Sequence, residues 1–459
     1  MIMETTFKEQ VEKLVKKMLH WKRRMSSFQM MILGFAGVIL AGALLLCLPI
    51  ASADGVWTEF RESLFTATSA VCVTGLVVHD SGSYWSWFGQ SVILLLIQIG
   101  GLGVITMAAV FMMIAGKNIS LKERSAMQDA ISAPAVGGIV RLTRFILKGT
   151  LVIELAGAAA MMPIFCREFG LRGVWMALFH SISAFCNAGF DILGTKQNLY
   201  PSLTAYQDNG FLLTVIMLLI IIGGIGFLTW EDICKHFHRV RLYRMQSKVV
   251  LATSAVLILF PAVWFFLTDY ADLPLKQRFW TALFQAVTPR TAGYNTVDLA
   301  AMSDVSRAVM LILMLIGGAP GSTAGGMKVT TVTVLAANAR ATFRRQAEPQ
   351  LFHRRVESAA VKNAATILLL YSTLFFVGAA AISTLEDLPL SICLFETASA
   401  VGTVGLSLGL TPQLGAISQC ILIALMFLGR VGGLTLIYAA FSGHDFSYAR
   451  FPQEKITVG

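Results

Sequence analysis

Residues 72–76 read Cys-Val-Thr-Gly-Leu, and they follow a short apolar helical run that itself follows a longer one. The same arrangement of a long run, a short run and a glycine-containing loop recurs three more times, with the loops Cys-Asn-Ala-Gly-Phe at 186–190, Thr-Ala-Gly-Tyr at 291–294 and Gly-Thr-Val-Gly-Leu at 402–406. Each later loop holds a glycine that lies 104 to 114 residues after the glycine of the previous loop. Four copies of one re-entrant element predict a ring around an axis, and a ring of backbone carbonyls is what a dehydrated cation needs.

The composition is that of a membrane protein with little soluble mass. Hydrophobic residues make up 56% of the 459 residues and charged residues only 14%, with a mean hydropathy of +0.70. A soluble domain usually carries about a quarter charged residues. A hydrocarbon core of about 30 Å needs roughly 20 apolar residues per helix, so the length predicts an all-α polytopic protein with about eight transmembrane helices. The first apolar run, 28–50, is too long for the core of a signal peptide and is predicted to be a retained membrane helix.

The net charge of +10 divides between two faces and does not indicate binding to nucleic acid. Five segments hold 26 of the 36 basic residues: 1–27, 114–148, 231–248, 338–362 and 443–459. The positive-inside rule places these segments, and both termini, on the cytoplasmic side of a cell membrane. The short loops between them are acidic, and an acidic mouth concentrates cations by a modest, salt-dependent amount.

Each copy of the repeat consists of a membrane helix, a short helix, a loop and a second membrane helix. The copies are predicted at 28–116, 140–233, 247–345 and 358–442, separated by cytoplasmic segments at 1–27, 117–139, 234–246, 346–357 and 443–459. The short helices are predicted at 57–71, 175–185, 279–289 and 388–401. They cannot span a membrane, so they must dip in and return, which is tolerated only where the irregular backbone lines a watery cavity or is buried. The segment 1–27 is amphipathic, and both a docking helix and a solvated flank remain open.

The four loops are the predicted ion-binding site. Carbonyls can point successively at one axis only if the backbone alternates with left-handed conformations, which glycine adopts without steric cost. The C-terminal end of each short helix is partly negative and would also favour a cation at the centre. The predicted filter residues are Val73, Thr74, Gly75, Asn187, Ala188, Gly189, Thr291, Ala292, Gly293, Thr403, Val404 and Gly405. The alternative is that the glycines only break helices inside packed loops.

The last helix of each copy carries a second signature. Gly-Gly-x-Gly occupies 100–103 and 223–226, and the fourth copy has Arg430 in place of the second glycine. The third copy starts alike and then diverges over 317–328, where glycines and a proline exclude a regular helix. We predict a mobile intramembrane gate there, with a static kink as the alternative. The predicted gate residues are Arg430, Gly317, Gly318, Ala319, Pro320, Gly321, Ser322, Thr323, Ala324, Gly325, Gly326 and Lys328.

Four charged residues stand out within the apolar runs. A charge inside the membrane costs several kcal/mol and normally faces a cavity or a partner. Arg430 is therefore predicted to be a fixed positive charge that meters cation flow, with a snorkelling or paired structural arginine as the alternative. Arg290 and Glu396 are expected to hold the filter rigid by pairing with each other or with backbone carbonyls. Glu154 is expected to be a buried, hydrogen-bonded acid rather than a proton relay.

The four loops resemble the potassium-translocating membrane subunits of the Trk/Ktr/HKT superfamily, and most closely the KtrB group. The resemblance covers residues 28–442. Its motifs are Thr-Gly-Leu at 74–76, Asn-Ala-Gly-Phe at 187–190, Thr-Pro-Arg-Thr-Ala-Gly-Tyr at 288–294 and Val-Gly-Thr-Val-Gly-Leu at 401–406. Eight spans without two extra leading helices fit the Ktr type. Tyr294 departs from the family pattern, in which phenylalanine is commoner at this position.

The resemblance implies the uptake of K⁺ as the transported ion. In this family a glycine at all four filter positions goes with potassium passage, whereas a serine in the first loop goes with sodium preference. The resemblance also implies that Arg430 forms a barrier and that 317–328 is the intramembrane gating loop. It implies a homodimer in membrane lipid, docked through its basic segments on a cytosolic ring of the RCK type, similar to KtrA, that binds ATP or ADP. Sodium dependence and symport are left open.

No motif supports catalysis, so the chain is predicted to be no enzyme and to hold no cofactor of its own. It lacks a glycine-rich nucleotide loop, and its seven histidines and seven cysteines show no metal-binding spacing. A rival class is a secondary cation symporter or antiporter of another fold, which is typically built from inverted repeats with essential acids in mid-membrane. The repeats here share one orientation, and Glu154 is the only candidate acid in a full span. A membrane scaffold is a second rival, but it would not need four such loops.

Overall fold

The first repeat opens with a long apolar helix whose start is fixed by a capping box. In the computed structural model, which describes residues 26–114, 119–131, 137–433 and 435, the Ser26 hydroxyl accepts a hydrogen bond from the Gln29 amide at 3.2 Å. The Gln29 side chain accepts from the Ser26 amide in return, at 3.1 Å. The helices of this part are α1 (Ser27–Cys47), α2 (Phe60–Val71), α3 (Trp87–Leu102), α4 (Val104–Ile114) and α5 (Leu121–Ile131).

The other three repeats follow the same order of long, short and interrupted helices. The second contains α6 (Ile139–Phe169), α7 (Arg172–Phe185), α8 (Gly210–Gly224) and α9 (Phe227–His236), and the third contains α10 (Met245–Leu267), α11 (Leu275–Val287), α12 (Asp304–Leu315) and α13 (Val329–Phe343). A two-stranded antiparallel hairpin, β1 (Gln350–Leu351) and β2 (Arg354–Arg355), precedes the fourth repeat. The fourth contains α14 (Ser358–Glu386), α15 (Leu390–Gly402) and α16 (Ala416–Val431).

Within the part of the chain that the structure describes, four helices are long and apolar enough to cross a membrane by themselves, namely the first helix of each repeat: α1, α6, α10 and α14. The pairs α3–α4 and α8–α9 bring the number to six if each is one span bent by 100°. The number of eight transmembrane helices therefore stays a prediction. In the third repeat the second span would be divided between α12 and α13, and in the fourth it would begin with α16, which has 16 residues.

The second helix of each repeat, α2, α7, α11 and α15, is short, and the half that leads into the glycine loop is mostly buried. The phenylalanine of the shared Leu-Phe pair is at most 2% exposed in all four: Phe65, Phe179, Phe284 and Phe395. By contrast, the outer face of α1 exposes Leu40 and Leu44 to 49% and 61%. Apolar side chains on the outer face and small or aromatic ones inside are the pattern expected of a protein whose surroundings are lipid.

Parts of the predicted cytoplasmic surface lie outside the described residues. They include nearly all of the predicted amphipathic segment 1–27, residues 115–118 and 132–136, and the tail 443–459. The described basic segment 234–246 contains the end of α9, a 3₁₀ turn at Val240–Leu242 and the start of α10, and the segment 346–357 contains the β1–β2 hairpin.

Candidate functional site

The four glycine loops share one unusual backbone conformation. The glycines Gly75, Gly189, Gly293 and Gly405 have φ between 69° and 92°. The residue two positions earlier also has positive φ, between 51° and 63°, in every loop: Val73, Asn187, Thr291 and Thr403. Left-handed residues are rare outside glycine and asparagine, so the same alternation in four loops is a shared structural requirement.

The four loops meet around one centre. A Cβ atom built on Gly75 would lie 2.5 Å from the carbonyl oxygen of Ala188, and one built on Gly189 would lie 2.8 Å from the Cα of Gly293. A Cβ on Gly293 would lie 2.6 Å from the Val404 oxygen, and one on Gly405 would lie 2.9 Å from the Cα of Gly75. The contacts therefore close a ring in chain order, and no side chain larger than hydrogen fits at these positions without displacing backbone.

All four glycines line a single cavity of about 420 Å³. Three carboxylates also line it, those of Asp80, Asp191 and Asp298, together with the segments that follow each loop. Within the described residues, no group of three His, Cys, Asp or Glu side chains could hold a metal ion. Backbone oxygen is thus the ligand that the ring itself offers to a cation, and the three carboxylates belong to the segments that follow the loops.

A serine or threonine at the end of each short helix stabilises its loop, and sequence reasoning missed these residues. The Ser69 and Ser399 hydroxyls accept hydrogen bonds from Gly75 N at 3.1 Å and from Gly405 N at 3.0 Å. Ser183 donates to the Phe190 oxygen at 2.8 Å, and Thr288 donates to the Tyr294 oxygen. They lie six residues before the glycine in three loops and five before it in the third, so their spacing was a usable signal.

Tyr294, the departure from the family pattern, links two loops. Its side chain is fully buried, and its hydroxyl donates to the Phe190 oxygen at 3.0 Å. The Phe190 oxygen therefore receives hydrogen bonds from its own helix, through Ser183, and from the third loop. A phenylalanine at this position would lack that bond between loops.

The helical segment that follows each glycine loop is interrupted at the same place. In repeats one, two and four the break contains a glycine, Gly103, Gly226 or Gly432, with φ of 87° to 90° and ψ of 132° to 142°. These are the last glycines of the Gly-Gly-x-Gly signature. In the third repeat, the segment 316–328 lies between α12 and α13 instead.

That segment, named here the intramembrane loop, is ordered and tied to repeat two. Its ends are joined by the Gly317 amide, which donates to the Met327 oxygen at 2.8 Å. The Ala319 amide donates to the Gly224 oxygen at 2.9 Å, and the Phe227 amide donates to the Gly321 oxygen at 2.8 Å. These backbone bonds satisfy groups that the interruption of α8–α9 leaves free.

The intramembrane loop lies directly against three of the four glycine loops. A Cβ on Gly317 would lie 3.3 Å from the Cγ2 of Thr291, and one on Gly325 would lie 3.0 Å from the Cβ of Thr403. The hydroxyl of Thr323 contacts the second loop at Asn187, at 3.3 Å. The structure thus brings the predicted gate residues next to the predicted filter residues.

Arg430 bridges the intramembrane loop and the first repeat. Its Nη1 donates to the Thr323 oxygen, and its Nη2 donates to the oxygens of Gly100 and Gly101, the latter at 3.2 Å. Lys328 donates to the oxygens of Ala324 at 2.7 Å and of Gly325 at 3.2 Å. Neither cation forms an ion pair with another described residue, and both line a cavity of about 290 Å³. The side chains of Arg430 and Lys328 are thus both held against the intramembrane loop by its backbone oxygens.

Of the three remaining charged residues, Glu396 and Glu154 accept hydrogen bonds, whereas the buried Nη1 of Arg290 has no hydrogen-bond partner among the described residues. Glu396 accepts from the Ser407 hydroxyl at 2.5 Å, the Leu408 amide at 3.1 Å and the Thr411 hydroxyl at 2.8 Å. The expected pair with Arg290 is wrong, because hydroxyl and amide donors close in sequence already surround this carboxylate. Arg290 is buried, and its carbonyl accepts from the Asn187 side chain at 3.1 Å. Glu154 is buried and accepts from the Gln98 amide at 3.3 Å, as expected of a hydrogen-bonded acid.

Apolar spanning helices and four loops around one backbone-lined cavity define a membrane protein that transports cations. The chain belongs to the TrkH family of cation transport proteins, whose profile matches residues 6–448. The predicted resemblance to the Trk/Ktr proteins is thereby confirmed, and the rival of a different fold is disfavoured.

Individual relatives and a solved structure agree with this assignment. The potassium/sodium uptake protein NtpJ of Enterococcus hirae is 39% identical over 450 residues, which cover 95% of this chain and 98% of that protein. The Ktr system potassium uptake protein B of Bacillus subtilis is 36% identical and covers 96% of this chain and 99% of its own length. The crystal structure of the potassium transporter TrkH from Vibrio parahaemolyticus has the same fold, with a TM-score of 0.70 over 89% of this chain and 83% of that one, at 20% identity.

Proposed function

We propose that this chain takes up K⁺ across the cell membrane through a selectivity filter formed by its four glycine loops. Four glycines that close a ring and line one cavity carry this proposal. Carbonyl oxygens of the backbone replace the hydration shell of the ion, so binding requires no change in the protonation of a side chain. The carboxylates of Asp80, Asp191 and Asp298 raise the local concentration of cations at the mouth.

The ion preferred is K⁺ rather than Na⁺. All four filter positions are glycine, and two relatives are named as potassium uptake proteins. Sodium enters as a second ion to be tested, because the relative in Enterococcus hirae is named for both potassium and sodium. Na⁺ could pass the same filter or activate uptake, and these two roles give different dependences on Na⁺ concentration.

The intramembrane loop and Arg430 form the gate. The loop lies against three filter loops, and Arg430 ties it to the first repeat through the oxygens of Gly100 and Gly101. A fixed positive charge repels a cation that has lost its hydration shell, and a loop that fills the pathway blocks it sterically. Opening therefore requires that the loop and the guanidinium move away from the axis together.

A cytosolic partner sets the position of the gate. Several relatives carry the name of the Ktr system, and the basic segments of this chain face the cytoplasm with both termini. The partner is a ring of RCK-type, KtrA-like subunits that binds ATP or ADP, and it docks on a homodimer of this chain.

Uptake of ⁸⁶Rb⁺ and ²²Na⁺ into liposomes that hold this chain alone tests the proposal. We expect ⁸⁶Rb⁺ to enter several-fold faster than ²²Na⁺, and unlabelled K⁺ to compete with it. Addition of a purified ring-forming partner with ATP is expected to raise the rate further than addition with ADP. Equal entry of the two ions, or no entry above that of empty liposomes, would contradict the filter assignment.

A further inference from the structure

One residue of the intramembrane loop is joined to two other repeats, the second and the fourth. Thr323 is fully buried, and its hydroxyl lies 3.1 Å from the Phe185 oxygen and 3.3 Å from the Asn187 Oδ1. Its amide donates to the Gly223 oxygen at 3.2 Å, and its carbonyl accepts from Arg430. Every polar group of this residue is therefore used, and none of its partners belongs to the intramembrane loop.

Asn187 completes the connection to a third loop. Its side-chain amide donates to the Arg290 oxygen at 3.1 Å and lies 3.5 Å from the Thr291 hydroxyl. Asn187 is 1% exposed, so water does not compete for these bonds. Through its Oδ1 and Nδ2 atoms, the Asn187 side chain thus connects the intramembrane loop with the second and third filter loops in one continuous hydrogen-bond network.

The network is asymmetric in a way that matches the asymmetry of the sequence. The residues equivalent to Asn187 in the other loops are Val73, Thr291 and Thr403, and none of them carries an amide. Among these four positions the amide stands in repeat two, whose interrupted helix binds the intramembrane loop through the backbone oxygens of Gly223 and Gly224. A preference of asparagine for left-handed backbone explains its φ of 60° but not the direction of its side chain toward Thr323 and Arg290.

We propose that Asn187 and Thr323 are a positioning pair that couples the conformation of the filter to the position of the intramembrane loop. The inference rests on the proposed function of the filter and the gate. When the loop moves to open the pathway, the Thr323 hydroxyl leaves the Asn187 side chain. The amide group is then free to turn, and the Arg290 oxygen loses its donor. Opening the gate therefore changes the third filter loop, and a filter held in shape by its ion favours the closed position of the gate.

The pair predicts that ion preference and flux change together. Thr323→Val removes the hydroxyl while keeping the shape of the side chain. We expect it to raise ⁸⁶Rb⁺ uptake into liposomes about two- to tenfold, the range that one hydrogen bond allows, and to lower the ratio of ⁸⁶Rb⁺ to ²²Na⁺ uptake. Asn187→Ala should do the same. The double variant should exceed neither single one, because each substitution removes the same connection.

Conservative and distant variants separate coupling from general damage. Thr323→Ser keeps the hydroxyl and is expected to restore both values toward those of the wild type. Thr342→Val removes an exposed hydroxyl that bonds only within its own helix, to the Asn338 oxygen at 3.0 Å, and should change neither value. Elution as a single species in detergent, at the wild-type volume, verifies that each variant is folded.

Three results would overturn the coupling. They are a wild-type flux in Thr323→Val, a raised flux with an unchanged ion ratio, and additive effects in the double variant. Each is distinguishable from a failure of the proposed function, which would appear in the wild-type chain itself as uptake without preference for ⁸⁶Rb⁺.

Discussion

At the scale of single residues, the site depends on side chains that are absent. The glycine ring leaves no room for a Cβ, and Gly75 has a φ of 92° that an L-residue rarely adopts. The close approach of neighbouring backbone and the positive φ therefore each require glycine at this position. Beside this ring the informative side chains are those that hold backbone in place, such as Ser69 and Tyr294, and not groups that could coordinate an ion.

Gly75→Ser should lower the preference for K⁺. A serine Cβ would press on the Ala188 oxygen, so the ring must widen or tilt its carbonyls, which favours other cations. We expect the ratio of ⁸⁶Rb⁺ to ²²Na⁺ uptake to fall roughly tenfold, or about 1.4 kcal/mol in relative barrier height. Gly55→Ser is the matched control, because Gly55 also has positive φ but has open space around it. An unchanged ratio in folded Gly75→Ser protein would contradict the filter assignment.

Arg430→Ala should raise the rate of K⁺ uptake several-fold. The substitution removes both the positive charge and the hydrogen bonds to Thr323 and Gly100. Arg430→Lys keeps the charge but replaces the planar fork by a flexible point charge, so it separates electrostatic repulsion from tethering. A rate in the lysine variant near that of the wild type would assign the barrier to charge, and one near that of the alanine variant would assign it to the tether. Wild-type flux in Arg430→Ala would exclude this residue from the barrier.

At the scale of elements, features set by local sequence could be predicted, whereas contacts between residues distant in sequence could not. Gly-Gly-x-Gly and the glycines of 317–328 break helices wherever they stand, so interruptions at these places could be predicted. The 100° bend between α3 and α4 could not, because its direction depends on what the freed backbone groups bind. Likewise, Arg430 was recognisable as a buried charge, but its partners lie more than 100 residues away and are carbonyls that any residue could supply.

One connection between elements has a predictable dependence on pH. Asp269, after α10, accepts from the Thr268 hydroxyl at 2.7 Å, from the Ser303 amide at 2.9 Å and from the Ser306 hydroxyl, and so holds the start of α12. Burial alone would raise the pKa of Asp269, but these hydrogen bonds outweigh it and lower the pKa below its ordinary value. The bonds therefore stabilise the fold above the pKa of about 3.9 in the unfolded chain, and this contribution is lost as pH falls through the lower pKa of the folded chain.

Asp269→Asn should consequently lower thermal stability at neutral pH and matter less in acid. We expect a loss of about 1 kcal/mol, or a few degrees in Tm, at pH 7 in detergent. The difference from the wild type should shrink below pH 4. Asp272→Asn, a neighbouring substitution at an exposed carboxylate, serves as the control and should shift Tm little. A difference between Asp269→Asn and the wild type that grows as pH falls would contradict the assigned role.

At the scale of the whole molecule, four sequence repeats give one site because no repeat can complete it alone. Each short helix packs against the interrupted helix of the preceding repeat in the ring, and each glycine contacts the loop of the next repeat. The fourfold similarity of the repeats is kept at the glycine ring and lost at the level of the helix interruptions. The ring itself keeps four equivalent glycines, whereas the level of the helix interruptions has three glycines and one long loop, with Arg430 beside it. Selection among ions favours equivalent ligands, and control of flow requires a part that can move independently of the rest.

The orientation of the whole molecule is open to a direct test with cysteines. Cys234 is exposed near the end of α9, next to the basic segment that the charge distribution places in the cytoplasm. A membrane-impermeant maleimide should therefore label Cys234 in inside-out vesicles and not in intact cells. Lys196→Cys, in an exposed loop on the opposite face and paired only with exposed Asp54, should show the reverse pattern. Cys420 is also exposed, but it lies on the apolar helix α16, where lipid excludes the reagent. Labelling of Cys234 in intact cells would show that the orientation in the membrane is the reverse of the one assigned here. The acidic cavity would then face the cytoplasm and would not be the mouth through which K⁺ enters.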